Sequence, residues 1–365
     1  MDFTLAAVVL IALFFDFTNG FHDAANAVAT SVSTRAISPR LAVLGSAAFN
    51  FAGAFLSLKV AATVGKGIVD PHAVTLKVVL AGLIGAIAWN LLTWYLGLPS
   101  SSSHALIGGV SGSAIAAAGF GVMQWRGLYE KVLIPALASP ALAIPGAVLV
   151  TTAILWIIRR RAPGKVNRIF RRLQLVSAGF VSLAHGTNDA QKTMGVIALA
   201  LVAAHPGQSF HVPVWVIASA AAAMGLGTYA GGWRIIRTLG QRVAKIEPPQ
   251  GFAAETTTAT ILWLTAHFGF PVSTTHVVST AVLGSGAATR FSAVRWGIAR
   301  NILVAWLITL PCAGLAGGLV ELLTRAPGGA GLAFAVGAAL ALLALSARTL
   351  QARRASATAE VVTAT

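Results

Sequence analysis

Apolar runs of about twenty residues follow one another along nearly the whole chain, and a bilayer is the environment that accepts so many of them. They cover about 3–30, 41–64, 73–97, 100–122, 132–158, 173–203, 213–233, 253–269, 272–289 and 296–323, with a last run at about 330–347. The stretch 253–289 reads either as two elements or as one span plus a re-entrant pair. Hydrophobic residues make up 56% of the chain and charged residues only 10%, against about 25% charged in soluble domains. The expectation is an all-α, multi-pass membrane protein of the cell's inner (plasma) membrane.

The formal net charge of +16 follows from that placement. Most Lys and Arg fall in short loops or at span ends, where they set orientation and meet anionic headgroups. The basic stretches lack the interleaved aromatics of a nucleic-acid module, so no nucleic-acid partner is expected. Arg159, Arg160, Arg161, Lys165, Arg168, Arg171 and Arg172 form an acid-free cluster that reads as a cytoplasmic linker over 159–172. The 204–212 connection has no Lys or Arg and reads as external, and the loop with Arg234, Arg237, Arg242 and Lys245 reads as internal. Trp125, Trp156, Trp215 and Trp296 fall near span ends, as interfacial anchors do. The run from Phe3 to Phe15 lacks a basic leader and continues into polar residues, unlike a cleaved signal peptide. The lone Cys312 excludes a disulfide framework.

Two different motifs recur in the same order. Gly20-Phe21-His22-Asp23-Ala24-Ala25-Asn26 is echoed by Gly186-Thr187-Asn188-Asp189-Ala190-Gln191-Lys192, and Pro99-Ser100-Ser101-Ser102-Ser103-His104 by Pro271-Val272-Ser273-Thr274-Thr275-His276. Asp23 precedes His104 by 81 residues, and Asp189 precedes His276 by 87. The chain is therefore divided into a first repeat at 1–158, the linker at 159–172, a second repeat at 173–350 and a tail at 351–365. An odd number of crossings per half would invert the repeats, the arrangement of many secondary transporters.

Four acids lie in or beside apolar runs: Asp16, Asp23, Asp189 and Glu255. A charge at mid-bilayer costs at least about 2.5–3.5 kcal/mol on insertion scales, so such groups face a cavity or a partner. An interhelical polar clamp explains one such acid; a recurring set points to a binding site. Asn19, His22, Asp23 and Asn26, with His185, Thr187, Asn188 and Asp189 in the other half, crowd around glycines. A helix break at Gly20 and Gly186 would let them converge and would free carbonyls for a cation. On a continuous helix Asn19, Asp23 and Asn26 share a face, and His22 points elsewhere.

Pro99 and Pro271 stop a preceding helix, and the Ser and Thr residues after them are good N-caps. Short helices should therefore start at both motifs inside the membrane, each offering unpaired N–H groups and a positive dipole end to an anion. Carboxylates beside anion sites suit hydrogen phosphate, whose hydroxyls a carboxylate accepts. Sulfate has no such proton at neutral pH. Ser101, Ser102, Ser103, His104, Ser273, Thr274, Thr275, His276, Asn26 and Thr187 are the candidate phosphate ligands. Asp23, Asp189, Asn188, Asn19, Glu255 and His22 are the candidate coupling-ion residues, with a cation at Asp23 and Asp189. Glu255 has a rival role as a favourable charge at a helix start. Lys192 pairs with Asp189 or touches phosphate, Asn50 and Asn90 are ligands or interhelical clamps, and His205 and His211 read as external loop residues.

The stretches NGFHDAANAVAT at 19–30, SLAHGTNDAQKTMGV at 182–196, PSSSSHALIG at 99–108 and PVSTTHVVSTAVLG at 271–284 resemble the inorganic phosphate transporter (PiT) family, bacterial low-affinity branch. His22 departs from the Asn of many members, which Asn188 retains. The resemblance implies an inverted-repeat symporter with no cofactor and no enzymatic activity. It implies either proton or sodium coupling, with the bacterial branch resembling proton symporters that take phosphate partly as a complex with Mg2+ or another divalent ion. A sodium-coupled symporter, a sulfate permease and a cation channel remain the rivals, and a homodimer is compatible with the chain.

Overall fold

The computed structural model describes residues 3–70, 74–205 and 207–326. The apolar run at 330–347 and the tail at 351–365 lie outside them. The first half contains α1 (Phe3–Ser33), α2 (Pro39–Gly53), α3 (Lys59–Lys66), α4 (Leu76–Leu96), α5 (Ser102–Ala118), α6 (Trp125–Leu128) and α7 (Ile134–Ile158). The second contains α8 (Pro163–Ala204), α9 (Val214–Ala230), α10 (Trp233–Arg237), α11 (Pro248–His267), α12 (Thr274–Thr289) and α13 (Trp296–Thr324). The chain is an all-α membrane protein. Among the described residues, four helical stretches are long and apolar enough to cross a bilayer: Thr4–Ser33, Leu76–Leu96, Trp125–Ile158 and Trp296–Thr324. The pair Val214–Ala230 and Trp233–Arg242 is bent by 60° and is together apolar and long enough for either a broken span or a re-entrant loop.

Several expectations change in detail. The run at 41–64 is two helices, α2 and α3, parted at 54–58. As expected, the segments at 100–122 and 272–289 hold short helices, of 17 and 16 residues, too short to span unaided. Most of the basic linker is helix: α8 starts at Pro163, and proline at the first position loses no hydrogen bond there. Lys165, Arg168, Arg171 and Arg172 therefore ride on its first turns.

The largest change concerns the breaks. α1 and α8 run without interruption through Gly20 and Gly186. A break there would leave carbonyls and N–H groups unpaired in an apolar interior. These glycines instead permit close approach: a Cβ at Gly20 would overlap the Met224 carbonyl, and one at Gly186 the Asn50 carbonyl.

Apart from the short α6, the elements of one half have counterparts in the other. Each has a long polar-centred helix (α1, α8), two shorter ones, a helical hairpin (α4–α5, α11–α12) and a long closing helix (α7, α13). Isolated bridges Val69–Met123 and Ala244–Val294 fall at equivalent places. Contacts are exchanged between halves: α1 packs on α9 and α8 on α2, while α5 lies against α13 and α12 against α7.

Small residues make this exchange possible. A Cβ on Gly112 of α5 would overlap the Gly314 backbone of α13, whereas one on Gly121 would meet nothing. Backbone cannot yield as a flexible side chain does, so Gly112→Val should cost about 1–3 kcal/mol or more. Thermal unfolding of the purified protein in detergent should show a clear loss for Gly112→Val and almost none for Gly121→Ala.

Candidate phosphate and coupling-ion site

The two helical hairpins are built alike. α4 and α11 are followed by Gly97 (φ 67°) and Gly269 (φ 74°), left-handed positions that glycine takes without strain. The next N–H closes the cap in each case, Leu98 to the Thr93 carbonyl and Phe270 to the Thr265 carbonyl, both at 2.9 Å. Pro99 or Pro271 follows, and then Ser101 or Ser273 starts the new helix. Their hydroxyls accept from His104 N–H at 3.1 Å and His276 N–H at 3.3 Å. Two helix N-termini thus begin in the interior, with Ser101–His104 and Ser273–His276 all buried.

The polar centres of α1 and α8 face them. Ser102 donates to Asp23 Oδ2 at 2.7 Å, and its counterpart Thr274 donates to Asp189 Oδ2 at 3.0 Å. Thr275, from the other half, donates to Asp23 Oδ1 at 3.3 Å. Asn26 Nδ2 reaches Thr274 and Thr275 at 3.1 and 3.0 Å, linking α1 to α12. Lys192 occupies the equivalent place in α8. Its ammonium pairs with Asp189 Oδ1, donates to Ser103 Oγ at 2.5 Å and donates to the Val272 carbonyl at 2.9 Å.

Histidines flank both carboxylates. His22 Nδ1 lies 2.7 Å from Asp23 Oδ1, and Thr93 and Ser100 face its Nε2 at 3.1 and 3.3 Å. The imidazole therefore turns back to its neighbour and does not point away, as the continuous-helix projection suggested. His185 Nε2 lies 3.1 Å from Asp189 Oδ2, one helical turn away. One potential ligand atom each from Asp23, His185 and Asp189 fall within 4.8 Å of one another. Two carboxylate oxygens and an imidazole form a donor set that a divalent cation accepts.

Other candidate residues are held differently. Thr187 is not brought to this cluster: its hydroxyl donates to the Gly53 and Leu183 carbonyls at 2.9 and 2.8 Å, tying α8 to α2. The His104 and His276 rings pack on each other, 4.9 Å between centroids, and His276 also stacks on Trp306 at 4.0 Å. The backbone N–H groups of these two histidines close the helix ends. Asn19 Oδ1 and both amide atoms of Asn188 lack hydrogen-bond partners among the described residues, as do both oxygens of the fully buried Asp16.

Glu255 is not at a helix start; that role falls to Glu247, which closes a capping box with Gln250. Glu255 sits mid-helix in a separate cage. Its Oε1 accepts from Thr30 and Ser31 at 2.5 Å each and from Gln174 Nε2 at 3.2 Å, and its Oε2 accepts from Ser177. Asn50 is an interhelical clamp, donating to Thr228 at 2.8 Å and facing His185 Nδ1 at 3.2 Å. The sequence put His185 in the polar crowd of the second half but not among the candidate ligands, although its four-residue offset from Asp189 was a usable signal. The Val272 carbonyl and the cage around Glu255 carried none.

Comparison with known proteins adds to this geometry. A model of the phosphate transporter family matches residues 19–317, which contain both repeated motifs. The chain belongs to that family. A protein of Mycobacterium bovis described as a probable low-affinity inorganic phosphate transporter is 52% identical over 97% of this chain and 85% of its own length. Proteins with the same description from Rhizobium meliloti and Bacillus subtilis are 50% and 47% identical, over 86% and 87% of this chain and 96% and 97% of theirs. A solved structure, the sodium-dependent phosphate transporter, superposes with a TM-score of 0.79 at 23% identity. It covers 88% of this chain and 99% of that one, and shows the shared fold. This phosphate transporter family member is a transport protein and not an enzyme.

Proposed function

We propose that the chain carries inorganic phosphate across the inner (plasma) membrane by proton symport, through alternating access of two inverted repeats. The observation that carries this reading is the matched pair of contacts Ser102–Asp23 and Thr274–Asp189. Each sets a carboxylate against the first turn of an interior helix. The helix ends offer phosphate oxygens their N–H groups and hydroxyls, and the carboxylates accept phosphate hydroxyls.

Charge counting favours cation coupling. With Asp23 and Asp189 ionised and Lys192 protonated, hydrogen phosphate brings the pocket to three net negative charges. A divalent cation and a proton together neutralise it. The Asp23, His185 and Asp189 ligand atoms suit a metal ion that arrives with phosphate. The relatives' descriptions as phosphate transporters support the substrate.

Labelled phosphate uptake into proteoliposomes tests the reading. An acid-outside gradient with Mg2+ present should drive accumulation, a sodium gradient alone should not, and excess sulfate should not compete. Accumulation driven by sodium alone would transfer the reading to the sodium symporter, and competition by sulfate to the permease.

A further inference from the structure

The repeated motifs are alike in their aspartates and differ six residues after the glycine, where the first half has Asn26 and the second Lys192. Both side chains reach across to the hairpin helix of the other half. Asn26 meets Thr275, and Lys192 meets Ser103, the residue at the same place in the repeat. One link is neutral and the other is a full positive charge, although both are buried.

The surroundings of the Lys192 ammonium resemble a cation site. Its three protons have three oxygens of different kinds to meet: the Asp189 carboxylate, the Ser103 hydroxyl and the Val272 backbone carbonyl. The Val272 carbonyl belongs to the non-helical turn between α11 and α12. Carboxylate, hydroxyl and unwound carbonyl oxygens are what a small hard cation takes in a membrane transporter. No other Lys or Arg contacts Asp189 among the described ion pairs, and Asp23 has only His22.

We propose that the Lys192 ammonium is a tethered counter-cation standing where a mobile monovalent cation would otherwise bind, so that the Asp189 half of the site needs no sodium. Lys192 is thus the residue that sets coupling-ion specificity, a role that rests on the phosphate-transport reading. Removing the ammonium leaves one uncompensated negative charge beside two neutral oxygen ligands. Lys192→Asn, which copies the first half, should therefore open a sodium site.

The test compares the wild type, Lys192→Asn and the double variant Asp189→Asn/Lys192→Asn, all purified in sodium. Phosphate uptake under an acid-outside gradient is measured in choline and in sodium medium, and thermal unfolding is followed with and without sodium. The wild type should take up phosphate equally in both media. Uptake by Lys192→Asn should fall about thirtyfold or more in choline, the lower range for truncating one partner of a buried charge pair. Sodium should restore most of it. Sodium should also raise the unfolding temperature of Lys192→Asn and leave the wild type and the double variant unmoved.

Equal uptake by Lys192→Asn in the two media, whether high or absent, would overturn the proposal. So would failure of Lys192→Asn to fold in sodium, because a mobile cation would then not replace the ammonium. A wild type without phosphate uptake would reject the transport reading, while the unfolding arm would still decide the cation question.

Discussion

Replacing Asp23 by Asn should abolish concentrative phosphate uptake while leaving the helices assembled. Asp23 accepts from Ser102, Thr275 and His22, so its charge is shared among hydrogen bonds from both halves. Asn keeps the size and one acceptor but has no charge for a proton or metal to neutralise. Truncating one partner of a buried hydrogen-bonded charge network costs about 2–5 kcal/mol, a loss of at least about thirtyfold. The loss should concern coupling more than binding, since Ser101–Ser103 and Ser273–Thr275 still offer donors to the anion. Exchange of labelled for unlabelled phosphate without a gradient is therefore expected to outlast accumulation. If Asp23→Asn accumulated phosphate at the wild-type rate, Asp23 would not carry the coupling ion.

The second large effect is expected on stability. Glu255 holds Thr30 and Ser31 of α1, Gln174 and Ser177 of α8, and its own helix α11 at one buried point. Glu255→Ala removes the common acceptor and opens a cavity. Each buried donor left unsatisfied costs about 1–3 kcal/mol, although hydroxyls recover part by turning to carbonyls of their own helix. A net loss of about 3–5 kcal/mol follows, lowering the unfolding temperature in detergent by about 6 °C or more. Glu255→Gln keeps an acceptor in place and should lose less than half as much. Equal losses for the two variants would show that packing, and not the shared acceptor, holds the three helices together.

Much of the fold was legible because membrane helices leave strong marks. Apolar length located α1, α4, α7 and α13, and Pro followed by hydroxyl residues located the starts of α5 and α12. The recurrence of Asp23 and Asp189 in matching surroundings pointed to residues that the structure brings together. Gly20 and Gly186 misled because glycine serves both helix breaking and close packing, and the difference depends on the partner helix. Gly97 and Gly269, two residues before each proline, hold the left-handed turns that end α4 and α11. Thr187 could not be separated from its neighbours by sequence, since its hydroxyl is used by the Gly53 carbonyl of a distant helix. The Glu255 cage was hidden for the same reason: Gln174 lies 81 positions away.

The exchange of helices between halves has a consequence for synthesis. α5 ends at Ala118, but α13, against which its glycines lie, begins only at Trp296. At ordinary ribosomal rates the nascent chain grows by the intervening length in roughly ten to forty seconds. Throughout that interval Ser101–His104 and the glycine face beyond them are without their final seat. The newborn first half lacks that partner, and the translocon or another insertion factor would shield the uncovered face until α13 arrives.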